Sequence, residues 1–513
     1  MKPFGFEPRT LVALGLAALI GLVGLWLDLE NEGLVWDLLW NLTGEEEPAA
    51  QLLGAGQYLA TLTRVQPQIA PDADIEHLPE NPFGVNTFLQ LEAIPEKRER
   101  QMQMIAEAGF GWVRQEFVWE DIEIHGPGDF MDRRNDLNND GTLDEADAIS
   151  AWEKYDQIVD LAEQYNVQII ARLSNSPAWT HPGNPNPHAP PDDVQAYVNF
   201  VTTVAERYRG RIQHYQIWNE PNLYPEWNQP ISAPEYADML CRAHDALKAV
   251  DPQVVVHSAA IGPTIDLSGR DLYDLLYLQQ LYDAGIADCF DVLSAQGYGL
   301  FSGPTDRRQR PTLMNYGRHV WLRDIMVANG DAHKPIWISE AGWNPTPPRS
   351  EYPDLWGRET YGEVSMEQAA RYVPLAYERA LTEWPYIGVI SYWFFKRHDD
   401  SERNQAWYWF RIVENDFSPT PLYTSFQETI QGGEWREWRD EDRAWTTRAR
   451  ERLPQVLVLG WGLLFGVGVV ARGRAGSPRR ALSRAATPAD LRPSVGALAA
   501  RAGDWAGGGL ALA

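Results

Sequence analysis

Along the middle of the chain, short apolar runs alternate with amphipathic stretches. The apolar runs are Phe83–Phe88, Gly111–Phe117, Val167–Leu173, Ile212–Trp218, Val254–Ala259, Phe290–Ala295, Pro335–Ser339 and Gly388–Trp393. Most are rich in β-branched or aromatic residues, as strands buried on both faces require. Between them Glu96–Ala108, Trp152–Asn166, Asp192–Arg209, Pro234–Val250, Asp271–Ala284, Arg318–Asn329 and Met366–Leu381 read as helices. Eight strands alternating with helices predict an α/β fold, a (β/α)8 barrel over residues 81–432. A doubly wound open sheet is the alternative, but no glycine-rich phosphate loop follows the first strand. In a barrel, chemistry is expected just past the C-terminal ends of the strands.

The ends of the chain follow a different pattern. Leu11 to Leu27 is an apolar run without a charge, preceded by Lys2 and Arg9 and followed by Asp28 and Glu30. As a helix it spans roughly 26 Å, the low end of what a bilayer needs, and the basic flank places the N-terminus in the cytoplasm. A cleaved secretory signal is the rival reading, but no small-residue cleavage site follows at once. Leu453 to Ala471 is a second uncharged run, trailed by Arg472, Arg474, Arg479, Arg480 and Arg484, a stop-transfer pattern. The predicted organisation is a cytoplasmic N-terminus (1–10), a transmembrane anchor (11–29) and an extracytoplasmic linker (30–80). The barrel (81–432), a juxtamembrane linker (433–452), a transmembrane helix (453–471) and a basic, disordered cytoplasmic tail (472–513) follow. The lipid bilayer is thus an expected partner, with the barrel extracytoplasmic.

Charge sharpens this division. The 513 residues carry a formal net charge of −27. Residues 1–10 contribute +1 and residues 472–513 contribute +5, so the segment between them carries −33. An acidic body of this kind excludes nucleic acid as the main partner, because phosphate binding needs a basic surface. The two cysteines, Cys241 and Cys289, make no disulfide framework and read as buried free thiols.

Two carboxylates fall where a barrel would use them. The fourth run ends Trp218-Asn219-Glu220-Pro221, and the seventh ends Ser339-Glu340-Ala341. A carboxylate at the end of an apolar strand is costly unless used or paired. Strands four and seven face each other across an eight-stranded barrel, so the two side chains can converge. A proton donor and a nucleophile roughly 5–5.5 Å apart are what retaining glycoside hydrolysis requires.

Asn219-Glu220-Pro221 after one strand, with Glu340 ending a later one, resembles the retaining glycoside hydrolases of clan A, closest to families 39 and 5. The resemblance covers roughly residues 81–432. It implies Glu220 as general acid/base and Glu340 as nucleophile, with no cofactor needed for catalysis. It further implies that Asn219 bonds the sugar 2-hydroxyl, that Arg114 pairs with the nucleophile and lowers its pKa, that Tyr298 donates to Glu340, and that Trp393 floors the first sugar subsite. Family members often carry His where Gln296 stands here; Gln296 is a candidate substrate contact that can hydrogen-bond but cannot titrate. The implied substrate is a poly- or oligosaccharide. A non-catalytic carbohydrate-binding barrel is the alternative function, though a binder has no need of both carboxylates.

Trp179, Trp227, Trp343, Trp407 and Trp409 fall in loops after strand ends, where rings can stack on the apolar faces of sugars. Trp179 and Trp343 are the candidates for substrate contact. Arg172, Asn175, His398 and Asp399 are candidates for binding hydroxyls, and His257 reads as a core histidine. Finally, Asp136, Asn138, Asp140, Thr142, Asp144 and Asp147 occupy positions 1, 3, 5, 7, 9 and 12 of an EF-hand pattern, with Gly141 at the turn. Asp147 replaces the usual Glu, as in the dockerin loops this segment resembles. The pattern predicts a structural Ca2+ in an insertion at 130–150. A Ca2+-dependent adhesion protein is a third reading of function, resting on that loop alone.

Overall fold

A computed structural model describes residues 8–439 apart from Pro185 and Pro187. Eight parallel strands form its centre: β1 (Phe83–Thr87), β2 (Trp112–Val118), β3 (Gln168–Ser174), β4 (His214–Ile217), β5 (Val255–His257), β6 (Leu293–Tyr298), β7 (Ile336–Gly342) and β8 (Ile387–Tyr392). They pair in the order β5-β4-β3-β2-β1-β8-β7-β6. Bridges His257–Val292 and Ile261–Ala295 close β5 onto β6, so the sheet is a barrel. Helices cover it: α4 (Pro95–Ala108), α5 (Glu153–Gln164), α6 (Val194–Arg207), α7 (Ala233–Val250), α8 (Asp274–Asp283), α9 (His319–Ala328), α10 (Met366–Glu383) and α11 (Pro421–Gly432). The last of these was not among the helices read from the pattern. Their ends follow local chemistry. Pro95 opens α4 and Gly109, at φ 94°, closes it, while Ser365 and Gln368 form a reciprocal capping box on α10.

Successive residues of the strands alternate between the two sides of the barrel wall, with one break in β7. Outward residues such as Val113, Ala171, Tyr215, Ile217, Ala295 and Ile338 join the main core beneath the helices. Inward residues near the N-terminal end form a separate apolar plug of Trp112, Ile170, Val255, Val292, Trp337 and Val389. His214 and His257 complete the plug, with rings against Trp337 at 5.0 and 4.8 Å and a hydrogen bond of 3.0 Å between them. Gly388 makes room there, since a Cβ would fall 2.0 Å from the Trp337 indole nitrogen. His257 is a core histidine, as read.

Two expectations change, and a third falls largely outside the described residues. Residues 30–80 are not a plain linker: they hold α2 (Leu34–Thr43) and α3 (Pro48–Thr61). These dock on the loop after β6 and on α10. Gly303 donates its N–H to the Gly44 carbonyl at 2.7 Å, Arg308 pairs with Glu45 at 2.7 Å, and Glu46 accepts from Gln368 and Tyr372. Cys241 and Cys289 are not free thiols; they form a disulfide joining α7 to the segment before β6. The cysteine count misled because one bridge needs no framework. Lastly, among the described residues no helix is long and apolar enough to cross a membrane. The expected anchor at 11–29 lies within α1 (Pro8–Glu30), where several side chains are outside the described set, and the expected spans and tail beyond residue 439 are outside it altogether.

Candidate active site

Above the apolar plug the inward positions turn polar. Asn86 on β1, Arg114 on β2, Gln216 on β4 and Glu340 on β7 are all buried and meet inside the barrel. Arg114 spends its guanidinium fully. Nε donates to Gln216 at 2.7 Å, Nη1 to Asn86 at 2.8 Å and Glu340 at 2.9 Å, and Nη2 to Asn219 at 2.8 Å. The second oxygen of Glu340 accepts from the Tyr298 hydroxyl at 2.7 Å. Burial and the facing Glu340 charge push the Tyr298 phenol far up, so it stays a donor.

Strict alternation would turn Glu340 the wrong way. Trp337 points inward and Ile338 outward, which would put Ser339 in and Glu340 out. A register shift resolves this: Ala295 pairs with Ile338, but Gln296 pairs with Glu340. Ser339 is the bulged residue, and the bulge re-aims the carboxylate into the mouth. Asn86 Nδ2 binds the Ser339 carbonyl at 2.8 Å, which holds the bulge in place.

Glu220 arrives by a strained turn. Trp218 just before it has φ 72°, a left-handed conformation costing about 1–2 kcal/mol for a bulky residue. Its ring is clamped by Tyr197 and Trp227, and its indole N–H donates to the Glu226 carbonyl at 2.7 Å. The Glu220 carboxyl receives a different environment from Glu340. Among the described residues its one side-chain hydrogen bond comes from the neutral amide of Gln296, at 2.8 Å. Burial first, then repulsion from Glu340 and Glu226, lifts its pKa to about 8. Gln296 therefore serves the acid directly, where a sugar contact was expected.

The remaining site residues divide. Trp393 sits at the end of β8, half-buried and edge-on to Phe88 at 5.3 Å. Its peptide bond to Phe394 is cis. The Asn219 side-chain oxygen is taken by Arg114, which turns its NH2 end away from the guanidinium. Trp179 is half-buried, with its N–H on the Glu123 carbonyl. Trp343 is not at the mouth. It is 2 % exposed, bonded to the Ser302 carbonyl at 2.7 Å and packed on Tyr316 and Tyr372. Gly299 admits it, since a Cβ there would lie 1.9 Å from the indole. Trp227 and Trp409 are likewise buried, and His398 and Asp399 pair with each other. Arg172 is held by Glu116, which also accepts from Ser174 at 2.8 Å. Burial drives the Glu116 carboxyl up, but Arg172 and Ser174 more than reverse this and leave it below its usual range. Asn86, Glu116 and Gln216 were not singled out from the sequence; each is a polar residue at an inward position of an apolar strand, and that period-2 signal could have found them.

The predicted calcium ligands lie in the insertion after β2, in a loop closed by a short antiparallel pair, Met131–Ser150 and Asp132–Ile149. Asp136 accepts from the amides of Asp140 and Gly141, Asp140 from Thr142, and buried Asp147 from Leu137, Asn138 and Asp144. Among the described residues no three His, Cys, Asp or Glu side chains gather as a metal site. The donor types, carboxylate and amide oxygens, fit a hard divalent cation.

The model for the cellulases of glycosyl hydrolase family 5 matches residues 72–268 of the chain. No curated protein matches it. Among solved structures, a family 39 glycoside hydrolase from the gut symbiont Bacteroides cellulosilyticus is similar at 19% identity and TM-score 0.49, over 72% of this chain and 66% of that one. A family 5 enzyme from Streptomyces cattleya, crystallised with Manb1-4GlcNAc, gives 17% and 0.48, over 70% and 81%. A family 39 beta-xylosidase from Caulobacter crescentus gives 15% and 0.46, over 69% and 73%.

Proposed function

We propose that this chain, a glycoside hydrolase, cleaves β-linked O-glycosidic bonds of a poly- or oligosaccharide with retention of configuration. The observation that carries this is the unequal treatment of the two carboxylates. Glu340 is paired with a guanidinium and a phenol, one on each oxygen; Glu220 has one neutral donor and a raised pKa. Glu340 attacks the anomeric carbon while Glu220 gives its proton to the departing oxygen, leaving a glycosyl ester on Glu340. Esterification removes the Glu340 charge, and with it part of the repulsion that kept Glu220 protonated. Glu220, now a base, takes a proton from water, which attacks the same carbon and frees Glu340. Incubation with a 2-deoxy-2-fluoro β-glycoside should trap the ester on Glu340. A label on any other residue sinks the assignment.

The enzyme works on the extracytoplasmic side, anchored through residues 11–29 and 453–471, with both termini in the cytoplasm. Three features support this. The Cys241–Cys289 bridge suits an oxidising compartment. Leu16, Leu19, Ile20, Leu22 and Val23 leave α1 more than half exposed along an apolar surface. The second run is followed by arginines. Carbonate-washed membranes should retain the full chain; release into the wash counts against anchoring. The loop at 136–147 holds Ca2+ through Asp136, Asn138, Asp140, the Thr142 carbonyl, Asp144 and Asp147, and the ion there orders the insertion. Calorimetry at millimolar Ca2+ should show binding that Asp140→Ala abolishes, and a flat titration of the native chain removes the idea.

A further inference from the structure

From Tyr298 at the end of β6, a row of rings runs outward through the loops after β7 and β8. Tyr298, the donor to Glu340, meets Phe410 at 5.6 Å. Phe410 meets Tyr361 at 6.3 Å, Tyr361 meets Trp407 at 6.2 Å, and Trp407 meets Trp356 at 5.1 Å. From Phe410 outward, exposure rises. Phe410 is 1 % exposed, Tyr361 and Trp407 are half-buried, and Trp356 is 64 % exposed. The inner part of the row lies close enough to the catalytic pair that Glu220 and Glu340, after burial, help raise the Tyr361 phenol.

The exposed end is held in place. Trp356 donates its N–H to the Asn404 carbonyl at 3.1 Å and accepts from Ala406 at 2.7 Å, so a short bridge ties the β7 and β8 loops together at this residue. Leu355, Ala406, Tyr408 and Trp409 form a small core of their own, apart from the barrel core. The fold therefore fixes the backbone of Trp356 and leaves its indole outside. An isolated apolar side chain in water is ordinary. A row of rings running unbroken to the nucleophile is not, and it matches a ligand with repeated apolar faces. Pyranose rings offer such faces, and a polymer offers them in series.

We propose that Trp356, Trp407 and Tyr361 form a sugar-binding ledge, so that the preferred substrate is a β-linked polysaccharide chain spanning several subsites. This rests on the hydrolase reading above and names its substrate class. The test compares wild type with Trp356→Ala and Trp407→Ala on two probes: p-nitrophenyl β-glycosides, and β-1,4-linked gluco-, xylo- and manno-oligosaccharides of increasing length. For wild type, kcat/KM should rise with chain length. Each variant should lose about tenfold on the long oligosaccharides, the worth of one good ring stack, with the aryl glycosides unchanged. Trp356→Phe should restore most of the loss. Equal kcat/KM for short and long chains, or variants that keep the wild-type length preference, overturns the ledge; either is expected if Trp356 instead docks a protein or a bilayer. Titration of the Glu220→Gln protein with the same oligosaccharides keeps the two readings apart. Affinity that grows with length in this variant, together with no hydrolysis of any probe by the wild type, would support the ledge and remove the hydrolase.

Discussion

The two ends of the barrel are made by the same eight strands and treat buried polar groups in opposite ways. At the N-terminal end, His214 and His257 sit in a plug with Trp112 and Trp337, and burial pushes both pKa values down, that of His214 to about 3. Both rings are neutral and bonded to each other. At the C-terminal end, Arg114, Glu340, Arg172 and Glu116 form ion pairs, and one further carboxyl, Glu220, is left with an amide alone. The lower end answers desolvation by discharging its groups; the upper end keeps charge and balances it by pairing. A barrel can thus confine its electrostatic work to one rim while the other seals it.

Four measurements would break or sharpen that contrast. The largest effect should come from Glu340→Gln, with a loss of about 10⁴-fold in kcat and an unchanged fold by circular dichroism. A variant retaining near-native turnover would mean the upper pairs are structural, like the lower ones. Arg114→Met should follow. It leaves Glu340, Asn86, Gln216 and Asn219 without their shared donor, and denaturant titration should show a loss of about 3–5 kcal/mol. A neutral result would make the network dispensable.

The third test addresses the lower end. His214 and His257 have folded-state pKa values below the unfolded value of about 6.5. Their contribution is present above that pH and is lost as pH falls toward the folded values. At pH 5 His214 should cost about 2 kcal/mol, seen as a drop in Tm that His214→Gln reduces. The smallest effect concerns Glu220. Its folded pKa is raised, so its strain is absent below about 4.5 and grows as pH rises toward about 8. Glu220→Gln should stabilise the protein by about 1–2 kcal/mol at pH 8. The same change should cut hydrolysis of glycosides with poor leaving groups by about 100-fold or more, sparing activated aryl glycosides. Wild-type activity itself should fall as pH passes 8.

Much of this was visible in the sequence because the barrel obeys a local rule. Each strand is an apolar run, and Glu220 and Glu340 stand where such a run stops, so both could be read from position, while Arg114, Tyr298 and Trp393 came only through the resemblance to clan A. What escaped depends on register or on distant partners. The Ser339 bulge that turns Glu340 inward has no signature in Trp337-Ile338-Ser339-Glu340. Trp343 and Trp356 are alike as loop tryptophans; only the Gly299 notch for one and the loop bridge under the other send them to the core and to solvent. The pairing of Cys241 with Cys289, across 48 residues, is likewise set by how α7 packs.

The docking of α2 and α3 bears on how far the mouth can travel. Fifty residues of flexible chain would give an end-to-end play of roughly 40 Å, a leash on which the barrel could swing. Here Asp28, at the end of α1, accepts the amides of Val35 and Trp36 that open α2, and Gly44 and Glu45 are fastened to Gly303 and Arg308. The slack has been folded away. With residues 11–29 held in a bilayer, as proposed above, this bracket of α2 and α3 would set the height of the barrel mouth above the membrane.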